Sequence, residues 1–282
     1  VQLRQHRDAR SIQLGGPDGT TNELEISDAE LDVITASLLR IGHSAAGTIE
    51  VSSEVVSPAN VATLSLITGA SLNDVGAGAL SVSSLAVQAA GSVLLDNTGD
   101  ISFVAGIVSG PGNSFTLTNE DNGFAIGSGI DGLTGITTAN NTSGNTGSIT
   151  LSTTTGSINV AQNLKTGDAS GVSSPTSGSI TLTAGTGSVF GTQTPETGSA
   201  TSNNAGAGTA TSGNIVLTGG EISDDGAATA SGAFTVLIGD TSGGATNRDG
   251  SLFATSTGSG NAGEIVISTT KDLRVDTLNS TD

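Results

Sequence analysis

Residues 147–160 read GSITLSTTTGSINV, and residues 178–191 read GSITLTAGTGSVFG, nearly the same phrase again. Looser echoes follow at 213–223 (GNIVLTGGEIS) and 263–275 (GEIVISTTKDLRV). Each opens with Gly, then one small or polar residue, then alternating apolar positions: Ile149 and Leu151, Ile180 and Leu182, Ile215 and Leu217, Ile265 and Ile267. Apolar residues two apart are the mark of a half-buried β-strand, with Thr150, Thr181, Val216 and Val266 on the opposite face. A further apolar residue follows each pair, at Ile158, Val189, Ile222 and Leu273, and corners between carry Gly156, Gly187 and Gly219-Gly220. Glycine suits such corners because it has no Cβ and tolerates positive φ. The repeating unit is strand, corner, strand and a long excursion.

The same pattern runs upstream in GTIEVSSEVV (47–56), ATLSLITGASL (62–72), GALSVSSLAV (78–87), GSVLLDNTGDISFVAG (91–106) and NSFTLTNEDNGFAIGSG (113–129). Its first strand residues, Ile49, Leu64, Leu80, Val93 and Phe115, recur at intervals of 15, 16, 13 and 22. Such spacings predict the coils of a parallel β-solenoid, in which one coil completes its core only by stacking on the next. An antiparallel sandwich or barrel is the alternative, since hairpins alternate in the same way. Only DNG (121–123) and RDG (248–250) offer the two-residue turns that hairpins favour. The expected fold class is therefore all-β, a parallel β-helix with long loops rich in Gly, Ser, Thr and Asn.

Those loops span 165–179, 191–214 and 239–264, and they end alike, in SGS, SGN and AGE. A constant ending places them at corresponding corners of successive coils. Surface insertions of this kind are tolerated, because doubling a loop costs only about 0.6 kcal/mol in closure entropy. A sharper expectation is that they stack into a lateral lobe that binds a partner.

Composition narrows the function classes. Gly accounts for 42 of 282 residues, aromatic residues for 2%, and Cys, Met, Trp and Tyr are absent. No disulfide or thiolate metal site is available, so stability must come from repeated packing and backbone hydrogen bonds. With 8 basic and 26 acidic residues, the formal charge of −18 opposes nucleic-acid phosphate and anionic headgroups. No nucleic acid is expected as a partner, and no direct membrane insertion, because no apolar run approaches the length of a span. The opening VQLRQHRDAR has neither an initiating Met nor a signal-peptide core, and the chain reads as a mature product or a segment of a longer one.

In ISDAELDVITASLLRIG (26–42), Ser27 and Glu30 make a capping-box pattern, which predicts a helical turn over roughly Asp28 to Ile34 before a strand. Residues 1–46 are thus an amino-terminal segment leading into a solenoid over 47–282. The stretch 12–53 resembles one that recurs in filamentous-haemagglutinin-like and autotransporter-adhesin proteins of bacteria. The matching positions are Leu14, Gly15, Gly16, Asp28, Ala29, Glu30, Leu31, Ile34, Leu39, Ile41, Gly42, Gly47, Ile49 and Val51. The resemblance implies a right-handed β-helix that is secreted or held at the cell surface, and it implies no catalytic set.

Sites of chemistry are sparse. His6 and His43 are the two histidines, and no Ser lies in a G-x-S-x-G elbow, so no enzyme activity is expected. A polysaccharide-cleaving site would need paired carboxylates and aromatic platforms, and six scattered Phe without Trp or Tyr make a poor sugar cleft. Acidic turns offer oxygen ligands to calcium, with Asp121, Asp224 and Asp225 as candidates. Neither EF-hand nor nonapeptide calcium spacing is present, so these residues read first as turn formers and no cofactor is assigned. Asn140, Asn141 and Asn279 lie in glycosylation-type triplets that a bacterial protein leaves as turns. An ice-binding Thr face fails because most strands expose a single Thr between apolar residues. Arg4, Arg7 and Arg10 form the one basic cluster, suited to pairing with an acidic surface in an assembly. The expected function is an adhesin-like stalk or fibre subunit that self-associates end to end or joins flanking parts of a larger chain. The alternative is a module whose long loops bind a host or cell-surface glycan.

Overall fold

Ile149–Thr153, Ile180–Ala184, Ile215–Gly219 and Ile265–Thr269 are parallel strands in one ladder. The echoes pair residue for residue: Ile149 with Ile180, Ile180 with Ile215, and Ile215 with Ile265. The computed structural model describes residues 1–16, 19, 22–56, 61–97, 99–120, 122–171, 174–191, 193, 195–197, 200–202, 213–219, 222–223, 236–238, 251–255, 265–269 and 277–281. Over these residues the chain is all-β with a single short helix.

The ladder belongs to a ten-stranded parallel sheet. Its other members are Leu24–Ile26, Ile12–Leu14, Ile49–Val51, Leu72–Asp74, Val93–Asn97 and Phe115–Asn119, in that spatial order. Between visits to this sheet the chain adds a strand to a second, sixteen-stranded sheet. There Gln2–Leu3, Ala36–Gly42, Val61–Thr68, Ala79–Ala89 and Ile101–Val108 lie side by side, all parallel. Beyond Ile101–Val108 the sheet divides. One branch starts at Phe124–Ile126 and continues through Ile158–Val160, Val189–Gly191 and Ile222–Ser223. The other runs from Ile136–Thr138 through Leu164–Lys165 and Pro195–Glu196 to Thr277–Thr281. Parallel pairing throughout both sheets removes the antiparallel sandwich as a description of these residues.

The upstream series of strand starts is not one ladder. Ile49, Val93 and Phe115 lie in the ten-stranded sheet, whereas Leu64 and Leu80 lie in the other. Short intervals therefore count steps between sheets. Full returns to one sheet, read from the residue before each strand, take 22 residues from Ser92 to Ser114, 34 to Ser148, 31 to Ser179 and 35 to Asn214.

Inward residues of both sheets form a single apolar cluster, among them Leu39, Leu64, Leu85 and Val104 facing Ile49, Leu72, Val93, Phe115 and Ile149. Each such side chain contributes roughly 1.5–3 kcal/mol relative to exposure. Phe115 occupies a position filled by Ile in the next three strands of its ladder. Room for its ring comes from Gly106, where an added Cβ would lie 2.5 Å from Phe115 Cε2.

Polar side chains hold the corners. The backbone N–H of Ser114 donates to Ser92 Oγ at 3.2 Å, and those of Ser148, Ser179 and Asn214 donate to the preceding serine's Oγ at 3.0 Å each. Next to them Thr138, Thr146 and Thr166 are buried, and their hydroxyls donate to the carbonyls of Gly147, Gly167 and Gly178 at 2.9 Å. The Gly-Ser or Gly-Asn before Val93, Ile149, Ile180 and Ile215 thus has a mechanical origin: glycine for close approach, a short polar side chain for the tie to the next strand.

The expected helical turn is present at Asp28–Asp32. Ser27 N–H and Oγ–H both donate to Glu30 Oε2, at 2.9 and 2.8 Å, and these bonds hold the Glu30 carboxyl below its usual range. Leu31 anchors the helix in the core. No helix among the described residues is long and apolar enough to cross a membrane.

Candidate binding surface

Among the described strands, one antiparallel pair breaks the pattern. Ser128–Ile130 and Leu133–Thr134 form a hairpin between Phe124–Ile126 and Ile136–Thr138. Its tip needs unusual backbone: Gly129, Gly132 and Gly135 have φ of 67°, 80° and 74°, and Asp131 has φ of 50°. The base is pinned by Gly127 N–H to Val104 O (2.8 Å), Gly135 N–H to Gly127 O (3.0 Å) and Gly106 N–H to Gly135 O (2.9 Å).

The hairpin folds onto the outer face of the sixteen-stranded sheet. Register aligns Arg40, Ser65, Ala86 and Ala105 in one outward row. Ile130 and Leu133 pack on Ala86 and Ala105, where small side chains leave a trough. Asp131, its side chain 4% exposed, reaches further along the row. It accepts from Ser65 Oγ at 2.6 Å and from Arg40 Nε at 2.9 Å, with a second contact from Arg40 Nη2. The Arg40 guanidinium and the Ser65 hydroxyl hold the Asp131 carboxyl below its usual range against the opposing effect of burial, and Asp131 in turn raises Arg40.

Beside the hairpin lies a groove of about 310 Å³, floored by Ser84, Phe103, Ala125 and Asn159 and walled by Gly127, Ser128 and Ile130 with Ala161 and Gln162. Phe103 is 48% exposed. None of the lining residues is ionisable. The groove combines an aromatic face with two amides and two hydroxyls, which suits an uncharged ligand carrying hydroxyl groups.

The lateral loops also meet. Ala169–Gly171 pairs in parallel with Ala200–Ser202, and Asn141 bridges to Ala169. Asp168 N–H donates to Asn140 Oδ1 at 2.8 Å, and Thr176 N–H donates to Asn145 Oδ1 at 2.9 Å. Described parts of the 165–179 and 191–214 loops therefore stack on one another.

Among residues singled out from sequence, Asp121, Asp224 and Asp225 lie outside the described residues. Arg4 and Arg7 are exposed and Arg10 is half-buried. Arg4 borders a hollow of about 450 Å³ at the amino-terminal end, with Leu3, Leu24, Glu25, Glu30 and Ile34. His6 is exposed, and His43 Nε2 lies 3.9 Å from Asp8 Oδ1. Among the described residues, no three His, Cys, Asp or Glu side chains gather as a metal site.

Phe103, Asn159 and Gln162 were not singled out by sequence. Strict alternation from Ile101 puts Phe103 inside, yet Ile101 and Val104 are the buried residues and Phe103 points out. The chain turns a corner there, as it does between Val82 and Leu85 in the neighbouring strand. Three-residue spacing of apolar positions in both strands is the signal that locates it. No protein-family model, curated protein or solved structure matches this chain.

Proposed function

We propose that the chain is a right-handed parallel β-helix that serves as a rigid structural segment of a secreted or cell-surface bacterial adhesin or fibre, without enzymatic activity. The observation that carries this reading is the unbroken parallel register from Ile12 through Ile49, Leu72, Val93, Phe115, Ile149, Ile180 and Ile215 to Ile265. Coils stacked in this way at ~4.8 Å per step give length and stiffness rather than a closed active-site cavity. End strands favour association: Gln2–Leu3 and Leu24–Ile26 bound the two sheets at one end, Thr277–Thr281 and Ile265–Thr269 at the other. Edges of this kind accept a further strand from another copy or from a flanking segment, and Arg4, Arg7 and Arg10 at the amino-terminal end suit an acidic neighbour in this acidic protein. Stacking of the described 165–179 and 191–214 loop residues supports a second role for that flank as a partner-binding lobe.

Electron microscopy and sedimentation of the purified chain over a range of concentrations test the proposal. Rods a few nanometres long that lengthen into filaments as concentration rises support it. Compact particles of unchanging size at all concentrations overturn the self-association.

A further inference from the structure

We propose that the outward row Phe103, Ala125, Asn159 and Phe190 is a binding track for an extended, uncharged polysaccharide, with the groove beside the hairpin holding its first units.

The parallel register puts these four side chains in line across adjacent strands: Phe103 beside Ala125, Ala125 beside Asn159, Asn159 beside Phe190. Three steps of ~4.8 Å separate the two aromatic residues by ~14 Å. In an extended β-1,4-linked glycan the rise per sugar is close to one strand spacing, so successive units match successive strands. Phe103 is exposed and Phe190 half-exposed, giving a ring at each end for the apolar face of a sugar. The small Ala125 leaves the floor open between them.

Charge selects the ligand class. The protein carries 34 charged side chains and a net −18, yet no ionisable residue lines the groove. An ionic ligand would bury its charge there without a counter-ion, and the overall field repels acidic glycans. The polar groups present are the Asn159 and Gln162 amides and the Ser84 and Ser128 hydroxyls, each able to donate and to accept. Among the described residues, none of these four side chains has a hydrogen-bond partner within the protein. Sugar hydroxyls, which also donate and accept, complement them. The Asp131 contacts to Arg40 and Ser65 tie the wall to the sheet, which favours a preorganised site.

The proposal is independent of the fibre reading, and its failure would leave the rod intact. Titration calorimetry of the whole chain with cellohexaose, maltohexaose and hexagalacturonate tests it, alongside Phe103→Ala, Phe190→Ala, Asn159→Ala and, as a control on the opposite flank of the hairpin, Ile107→Ala. The expected result is binding of cellohexaose in preference to the other two, weakened about tenfold by either Phe substitution and unchanged in Ile107→Ala. Circular dichroism confirms folding of each variant, all four side chains being outward-facing. No cellohexaose binding at millimolar concentration, binding indifferent to both Phe substitutions, or tighter binding of hexagalacturonate overturns the proposal. So does a change in sedimentation on Phe103→Ala, which would assign the track to a second copy of the chain.

Discussion

Replacing Gly178 with Ala tests the tie between strands at a point of very close approach. A Cβ built there lies 1.9 Å from Gly147 O, 2.5 Å from Gly147 C and 3.0 Å from Ser148 N, where ordinary contact begins at 3.4 Å. The backbone must retreat by about 1.5 Å, the shortfall at Gly147 O, well beyond the slack of a hydrogen bond. Three bonds depend on that spot: Gly178 N–H to Thr146 Oγ1 at 2.7 Å, Thr166 Oγ1 to Gly178 O at 2.9 Å, and Ser179 N–H to Ser148 Oγ at 3.0 Å. At ~1 kcal/mol for each bond, with the displaced backbone adding strain, the loss is about 3–5 kcal/mol. Gly144→Ala is the matched control, because its Cβ meets only Asn141 Nδ2 at 3.6 Å, and its cost is expected to stay below about 0.5 kcal/mol. Urea unfolding followed by circular dichroism reads both. A Gly178→Ala midpoint equal to that of Gly144→Ala would refute the close-approach account.

Phe115→Ala is expected to cost about 3–5 kcal/mol, because the ring fills core space left by Gly106 and its removal opens a cavity; thermal melts check this. Asp131→Asn probes the hairpin clasp. Its folded pKa is depressed by Arg40 and Ser65, so its stabilisation is complete above the ordinary carboxylate range and is lost as pH falls through the lowered value. The gap in melting temperature between wild type and variant is therefore expected to be open at neutral pH and to close in strong acid, and a pH-independent gap contradicts it. Asp74 has the opposite sign, its carboxyl raised by burial first and by the Asp96 charge as well, with Oδ2 buried and unpaired. Asp74→Asn is expected to raise the melting temperature at neutral pH, an advantage that disappears in acid where wild-type Asp74 is protonated.

How much of this was legible in the sequence depended on the kind of interaction. The ladder Ile149, Ile180, Ile215, Ile265 was readable because strand pairs with the same inward spacing stack in the same register, and the Ser27–Glu30 cap was readable because it is local. Division into two sheets was not, since Leu64 and Leu80 alternate like Ile49 and Val93 while belonging to another sheet. The hairpin was hidden for a different reason. Its clasp joins Asp131 to Arg40 across 91 residues, a contact created by lateral strand order, which local periodicity does not encode. The groove was missed because a corner reverses the facing of Phe103 and because Phe103 and Phe190 become neighbours on one row only through two intervening strands.

Electron–electron distances between spin labels test the stacked register most directly, and a chain without Cys allows clean labelling. Outward positions Glu50, Asn73, Leu94, Thr116, Thr150, Thr181 and Val216 occupy successive strands of one ladder. With Cys introduced in pairs, the account predicts ~19 Å between backbone sites at Leu94 and Val216 and ~29 Å between Glu50 and Val216, four and six steps of ~4.8 Å. Narrow distributions that grow in proportion to the number of strands support the account. Broad distributions, or distances that fail to grow with strand count, would contradict it.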